Sequence, residues 1–159
     1  MEGDEQMNNT AVIILAAGSG TRMKAGQNKL FLELNGKAVL EYTVAAFQRS
    51  RAVDAIVIVA KAEELERVQA MIPQQLYDKI IAYTAGGKER QDSVLCGLRV
   101  LQAQGQYDKV MIHDGARPFV SEQIVKDVFD AAVEFGASVP GIAPVDTQKV
   151  VDANGFITQ

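Results

Sequence analysis

The chain has 159 residues, 48% of them hydrophobic and 23% charged, which is the length and composition of a single globular domain able to bury its own core. Lys and Arg number 16 against 20 Asp and Glu, and the net charge of −4 excludes broad, non-specific binding to nucleic acid or an anionic membrane. A single cysteine and a single histidine exclude an internal disulfide, a paired-cysteine zinc site and a histidine cluster.

The start, Met1-Glu2-Gly3-Asp4-Glu5, is acidic and lacks the basic region of a signal peptide. Residues 1–10 read as a frayed end and 11–159 as the domain. Ala11–Ala17 is the longest apolar run, far short of the ~18 residues that cross a bilayer. It reads as a buried strand cut off by Gly18-Ser19-Gly20. A soluble, cytoplasmic protein without membrane or nucleic-acid partners is expected. Lys37–Gln48 has helical spacing, Ala55–Val59 is a second strand, and Ala62–Met71 is an amphipathic helix ended by Pro73. Lys79–Tyr83 is a third strand, followed by a helix over Glu89–Gln104 that stops at Gly105. Lys109–His113 is a fourth strand. Ser121 caps a helix running to Phe135, with Gly136 at its end. Ser138–Val145 reads as strand, and Gln148–Thr158 as a hairpin around Asn154-Gly155. Apolar strands alternating with amphipathic helices predict an α/β fold. Its sheet is twisted and mostly parallel, with helices on both faces, and a β-arm begins near residue 146.

In such folds ligands bind beyond the carboxyl ends of the strands. The first strand is followed by Gly18-Ser19-Gly20-Thr21-Arg22-Met23, then Asn28-Lys29-Leu30. Small residues let backbone N–H groups face phosphate oxygens, and the charges of Arg22 and Lys29 suit a triphosphate. Met23 breaks the dinucleotide fingerprint, and no P-loop motif is present. Gly86-Gly87 follows the third strand and permits close backbone approach, with Ser93 offering a hydroxyl one helical turn on. By itself this is also an ordinary strand-to-helix turn. Asp114, after the fourth strand, is placed for a hard cation such as Mg²⁺. Arg117 offers a fork for phosphate or a salt bridge to a neighbouring acid. For both residues a purely structural role is equally open. His113 reads as a packed strand-end histidine. Asp146-Thr147-Gln148-Lys149 forms a polar cluster after the fifth predicted strand.

Leu15 to Met23 resembles the signature of sugar-nucleotidyltransferases. Asn28-Lys29-Leu30-Phe31, Gly86-Gly87 through Arg90 to Ser93-Val94, His113 to Pro118, and Asp146-Thr147 with Lys149 follow it in order. Together they resemble the methylerythritol phosphate cytidylyltransferase family, from about Ala11 to the last residue. The resemblance implies transfer of a cytidylyl group from CTP to methylerythritol phosphate in non-mevalonate isoprenoid synthesis, with Mg²⁺ and a homodimer joined through the arm. It implies that Ala16, Ala17, Gly18, Ser19, Gly20 and Thr21 wrap the nucleotide, and that Gly86, Gly87 and Ser93 contact its cytidine. Arg22 and Lys29 are then the catalytic pair. Asp114, Arg117, Asp146 and Thr147 line the substrate pocket, with Asp114 next to the metal. Asn28 stands where many sugar-nucleotidyltransferases carry proline, and Lys88 where an acid is common. The family continues past the position of Gln159, so a C-terminally incomplete chain is expected. An arginine and a lysine for the substrate phosphate, the rest of the arm and the last helices would lie beyond it. Ribitol-5-phosphate cytidylyltransferase and an inactive nucleotide-binding fragment of the same fold are the alternatives.

Overall fold

The computed structural model describes residues 9–18 and 28–158. It contains two compact units, Met1–Lys126 and Asp127–Gln159.

The first unit is built on four parallel strands: β1 (Thr10–Leu15), β4 (Ala55–Ala60), β5 (Ile80–Ala85) and β6 (Lys109–Asp114). Two short strands, β2 (Glu33–Leu34) and β3 (Lys37–Ala38), form a separate hairpin. The helices are α1 (Val39–Arg49), α2 (Leu65–Met71), α3 (Arg90–Gln104) and α4 (Glu122–Phe135), the last spanning the division between the units.

The strand order is β5-β4-β1-β6. The chain builds outward from β1 through β4 to β5, then returns to lay β6 on the other side of β1. The topological switch point therefore lies between β1 and β6, where α/β sheets bind ligands. Register places Ile13 beside Val57 on one side and beside Ile112 on the other.

β1 and β4 carry apolar residues at consecutive positions because both of their faces are covered. Residues 11–14 of β1 and all of β4 are 0% exposed. Each such Ile or Val contributes about 1.5–3 kcal/mol by leaving water. Ala11, Ile13, Val57 and Val59 pack with Leu101 of α3. Gly97 lets α3 lie low on the sheet, since a methyl there would stand 2.7 Å from Ile13 Cγ2. On the opposite face, Phe47 of α1 meets the His113 ring edge-on, with centroids 4.8 Å apart. His113 is the register partner of Ile14, so α1 covers the alternate set of side chains.

The predicted elements of the first unit all form, with shifted ends. β1 stops at Leu15, leaving Ala16 and Ala17 in the loop, whereas β5 runs on to Ala85 and delivers Gly86 directly. The helix expected from Ala62 opens with a 3₁₀ turn. The β2–β3 hairpin was not predicted, although Asn35-Gly36 is its signal: both residues have positive φ, 49° and 75°.

In the second unit Ser138 Oγ donates to the Val128 carbonyl at 2.6 Å. The strand expected over Ser138–Val145 is absent. Pro140 and Pro144 lack the N–H a ladder needs, and Gly141 adds backbone freedom. The predicted hairpin does form as one antiparallel bridge, Val151 to Ile157. Asp152 holds its turn, its Oδ1 accepting from the N–H groups of Asn154 and Phe156, both at 2.9 Å. No helix among the described residues is long and apolar enough to cross a membrane.

Candidate active site

Four segments of the first unit meet at the carboxyl ends of the strands. The first is Ala16-Ala17-Gly18, tied to β4 by the Ala16 N–H on the Val59 carbonyl at 2.7 Å. The second is Gly86 to Ser93. Gly86 donates to the Ala60 carbonyl at 2.8 Å, and a methyl on it would lie 2.7 Å from both Ala17 Cβ and Ser93 Oγ. Gly86 therefore lacks a side chain because Ala17 and Ser93 close around it. A methyl on Gly87 would strike Asp92 in the same way. Asp92 Oδ2 accepts from the Glu89 N–H at 3.0 Å and fastens the start of α3. Ser93 is buried, and its hydroxyl donates to the Glu89 carbonyl at 3.2 Å.

The third segment is a 3₁₀ turn, Lys29–Phe31. Leu30 and Phe31 point inward, at 3% and 6% exposure, whereas Lys29 is exposed. The fourth is Asp114 to Arg117. Gly115 donates to the Leu15 carbonyl at 2.8 Å, closing the switch point. A methyl on Gly115 would sit 3.0 Å from that carbonyl and 3.4 Å from Leu30 Cδ2. The neighbour of Lys29 thus packs on the neighbour of Asp114.

Asp114 is shared by two arginines. Arg90 Nη2 donates to Oδ1 and Arg117 Nε to Oδ2, each at 3.1 Å. Burial pushes the Asp114 carboxyl up, but the hydrogen bonds and charge of Arg90 and Arg117 outweigh it and hold the group below its ordinary value. Asp114 stays ionised, and the cluster carries one surplus positive charge. His113 Nε2 stands 3.0 Å from the Arg117 carbonyl. The sequence reading gives Arg90 no role; its place at the first turn of the helix after Gly86-Gly87 is the available signal.

Among the described residues no group of three or more His, Cys, Asp or Glu converges as a metal cage. Asp114 is a lone carboxylate: Oδ1 accepts from both Nη2 and Nε of Arg90, at 3.1 and 3.4 Å, and Oδ2 accepts from Arg117 Nε and retains one lone pair. That donor set does not fit an all-protein cage. It fits Mg²⁺ arriving on a triphosphate, which needs one or two carboxylates and fills its shell with phosphate and water.

Ser19, Gly20, Thr21 and Arg22 lie outside the described residues. Ala16, Ala17, Gly18, Lys29, Gly86, Gly87, Ser93, Asp114 and Arg117 are all in the first unit, along the same strand ends. Asp146 and Thr147 belong to the second unit, where both are exposed and the Asp146 carbonyl accepts from Gln148 Nε2 at 3.5 Å.

The family model for 2-C-methyl-D-erythritol 4-phosphate cytidylyltransferase matches residues 10–159. The protein of that description from Clostridium perfringens is 42% identical over 150 residues, covering 94% of this chain and 65% of the relative. The one from Geobacillus kaustophilus is 40% identical over 151 residues, covering 95% of this chain and 64% of the relative. The crystal structure of 4-diphosphocytidyl-2C-methyl-D-erythritol synthase from Anaerococcus prevotii aligns with a TM-score of 0.81 at 29% identity, over 96% of this chain and 63% of that one. The chain thus spans a little under two thirds of the length of these relatives. With the family model matched over residues 10–159 and these identities, the chain belongs to the 2-C-methyl-D-erythritol 4-phosphate cytidylyltransferase family.

Proposed function

We propose that this chain carries the nucleotide half of a cytidylyl transfer from CTP to 2-C-methyl-D-erythritol 4-phosphate. A phosphate oxygen of the methylerythritol phosphate attacks the α-phosphorus of CTP. The bond from that phosphorus to the bridging oxygen breaks, and pyrophosphate leaves. The attacking phosphate monoester is already anionic, so no proton has to be removed. Catalysis then rests on orientation and on charge that matches the transition state.

The observation that supports this reading is the approach of Leu30 to Gly115, where a methyl would lie 3.4 Å from Leu30 Cδ2, so the turn that carries Lys29 adjoins the loop that follows Asp114. Lys29, with Arg22, neutralises charge on the pentavalent phosphorus. Ala16 to Thr21 wrap the triphosphate, and Gly86, Gly87 and Ser93 receive the cytidine. Arg117 takes the methylerythritol phosphate, and the family resemblance assigns Asp146 and Thr147 to the same substrate. Asp114 orients Arg117 and would hold Mg²⁺, which when bound would supply a further positive charge beside the triphosphate. The arm after Asp146 pairs two copies, a role supported by the exposed apolar residues Val150, Val151, Phe156 and Ile157. We place the reaction in the cytoplasm.

The test is pyrophosphate release from CTP with methylerythritol phosphate, run beside ribitol 5-phosphate, together with competition among the four nucleoside triphosphates. Release with methylerythritol phosphate and preference for CTP are expected. Faster release with ribitol 5-phosphate overturns the substrate, and equal affinity for all four triphosphates overturns the cytidine assignment.

A further inference from the structure

We propose that Glu64 is a positioning residue for Lys29, acting through the side-chain amide of Asn28; this rests on the role of Lys29 proposed above. Asn28 Oδ1 accepts from the Leu30 N–H at 3.2 Å, closing the turn from within. Asn28 Nδ2 donates outward to Glu64, at 3.0 Å to Oε2 and 3.3 Å to Oε1. One orientation of the amide serves both partners, and the carboxylate enforces it because it can only accept. Glu64 is itself held: its side chain is only 17% exposed and Lys61 Nζ lies 3.8 Å from Oε1. One turn along α2, the Arg67 guanidinium stacks over the Phe31 ring at 3.9 Å. The turn that carries Lys29 is therefore fastened to the start of α2 on both sides of the lysine. The Asn28–Glu64 bond spans 36 residues of sequence, so no local propensity supplies it. Among the described residues neither hydrogen-bonds Asp114, Gly86 or Ser93, and Lys29 is the site residue whose turn they hold.

A lysine that stabilises only the transition state needs its backbone fixed before the charge develops. Misplacement by about 1 Å can cost 10²-fold in rate. Three variants of the full chain test the link. Asn28→Asp sets a carboxylate against a carboxylate, and Glu64→Ala removes the acceptor. Each should lower kcat by up to about 10²-fold while KM for CTP holds. Combining Asn28→Asp with Glu64→Gln reverses the polarity of the bond and conserves net charge. The new carboxylate at position 28 still accepts from Leu30 and now accepts from the amide at 64, so kcat should recover. Tryptic cleavage after Lys29, followed by mass spectrometry at unchanged melting temperature, reads the turn without turnover: faster in both single variants, normal in the swap. If the single variants keep kcat while Lys29→Ala loses it, the positioning role is wrong and the reading of Lys29 stands. If Lys29→Ala keeps kcat, the reading of Lys29 falls, and unchanged cleavage in Asn28→Asp then overturns the fastening as well. Failure of the swap to recover kcat also overturns it.

Discussion

Arg90 reaches Asp114 across 24 residues of sequence, its Nη2 donating to Oδ1 at 3.1 Å. Arg90 is the first residue of α3 and Asp114 the last of β6, so this bond joins the side proposed for cytidine to the side proposed for methylerythritol phosphate. Arg117 takes the other oxygen. The carboxylate is thereby fixed in plane by two guanidinium groups, a geometry a flexible ammonium does not reproduce.

Arg90→Ala should therefore raise KM for methylerythritol phosphate more than KM for CTP. Asp114 then pivots on Arg117 alone. The side chains are 63% and 36% exposed, so the loss of stability should stay within the ~0–1 kcal/mol typical of surface pairs. Arg90→Lys should not restore the wild-type value. Steady-state kinetics with each substrate varied, beside a urea melt, separates the effects. A rise confined to KM for CTP would show that Arg90 serves the nucleotide instead.

Lys29→Ala should lower kcat by about 10²–10³-fold, the usual loss for one preorganised charge-stabilising contact. CTP binding should change far less, because the charge matters most when the phosphorus is pentavalent. Calorimetric titration of CTP and single-turnover rates give the two numbers. Equal losses in both would make Lys29 a ground-state binder.

The strands, the helices of the first unit and the strand-end loops were legible because each follows from local pattern. Apolar runs such as Ile56-Val57-Ile58-Val59 and caps such as Gly105, with φ 68°, speak within a few residues. What bridges distant segments was not legible. Arg90 on Asp114 and Asn28 on Glu64 are decided by how the crossovers fold back, which no local period records. The glycine pair was legible as a requirement but not in its cause. Close approach was read as room for a ligand, whereas at Gly86 the neighbours are Ala17 and Ser93. The strand expected over Ser138–Val145 followed its apolar residues and overlooked its two prolines.

Gly86→Ala should weaken both fold and site. The added methyl would lie 2.7 Å from Ala17 Cβ and Ser93 Oγ, and overpacking of this kind costs about 1–3 kcal/mol. Gly86→Ala with Ser93→Ala removes one of the two obstacles and should recover part of the loss. CTP affinity should fall with the single change, since relief requires Ala17 to move. A melt and a CTP titration on both variants test this, and unchanged affinity would detach Ala17 from the nucleotide site.

His113 should titrate below its ordinary 6.5, and stability should follow it. Burial lowers its pKa most. The Arg117 carbonyl and the Asp114 charge oppose that, while the Arg117 charge adds to it. A carbonyl only accepts, so Nε2 carries the hydrogen in the neutral ring. Protonation therefore leaves that bond intact and adds instead a half-buried charge against Phe47 and close to Arg117. Because the folded pKa lies below the unfolded one, the unfolded chain binds more protons in between. The stability His113 contributes is complete above about 6.5 and is lost as pH falls through the folded value. As the single histidine of the sequence, it gives one imidazole Cε1–H resonance to follow. That resonance should report a midpoint under 6.5, and urea midpoints should drop over the same window. His113→Gln keeps an N–H donor for the Arg117 carbonyl without a titrating charge and should flatten this part of the profile. A midpoint above 6.5, or an unchanged profile in His113→Gln, would contradict the burial-dominated account of this ring.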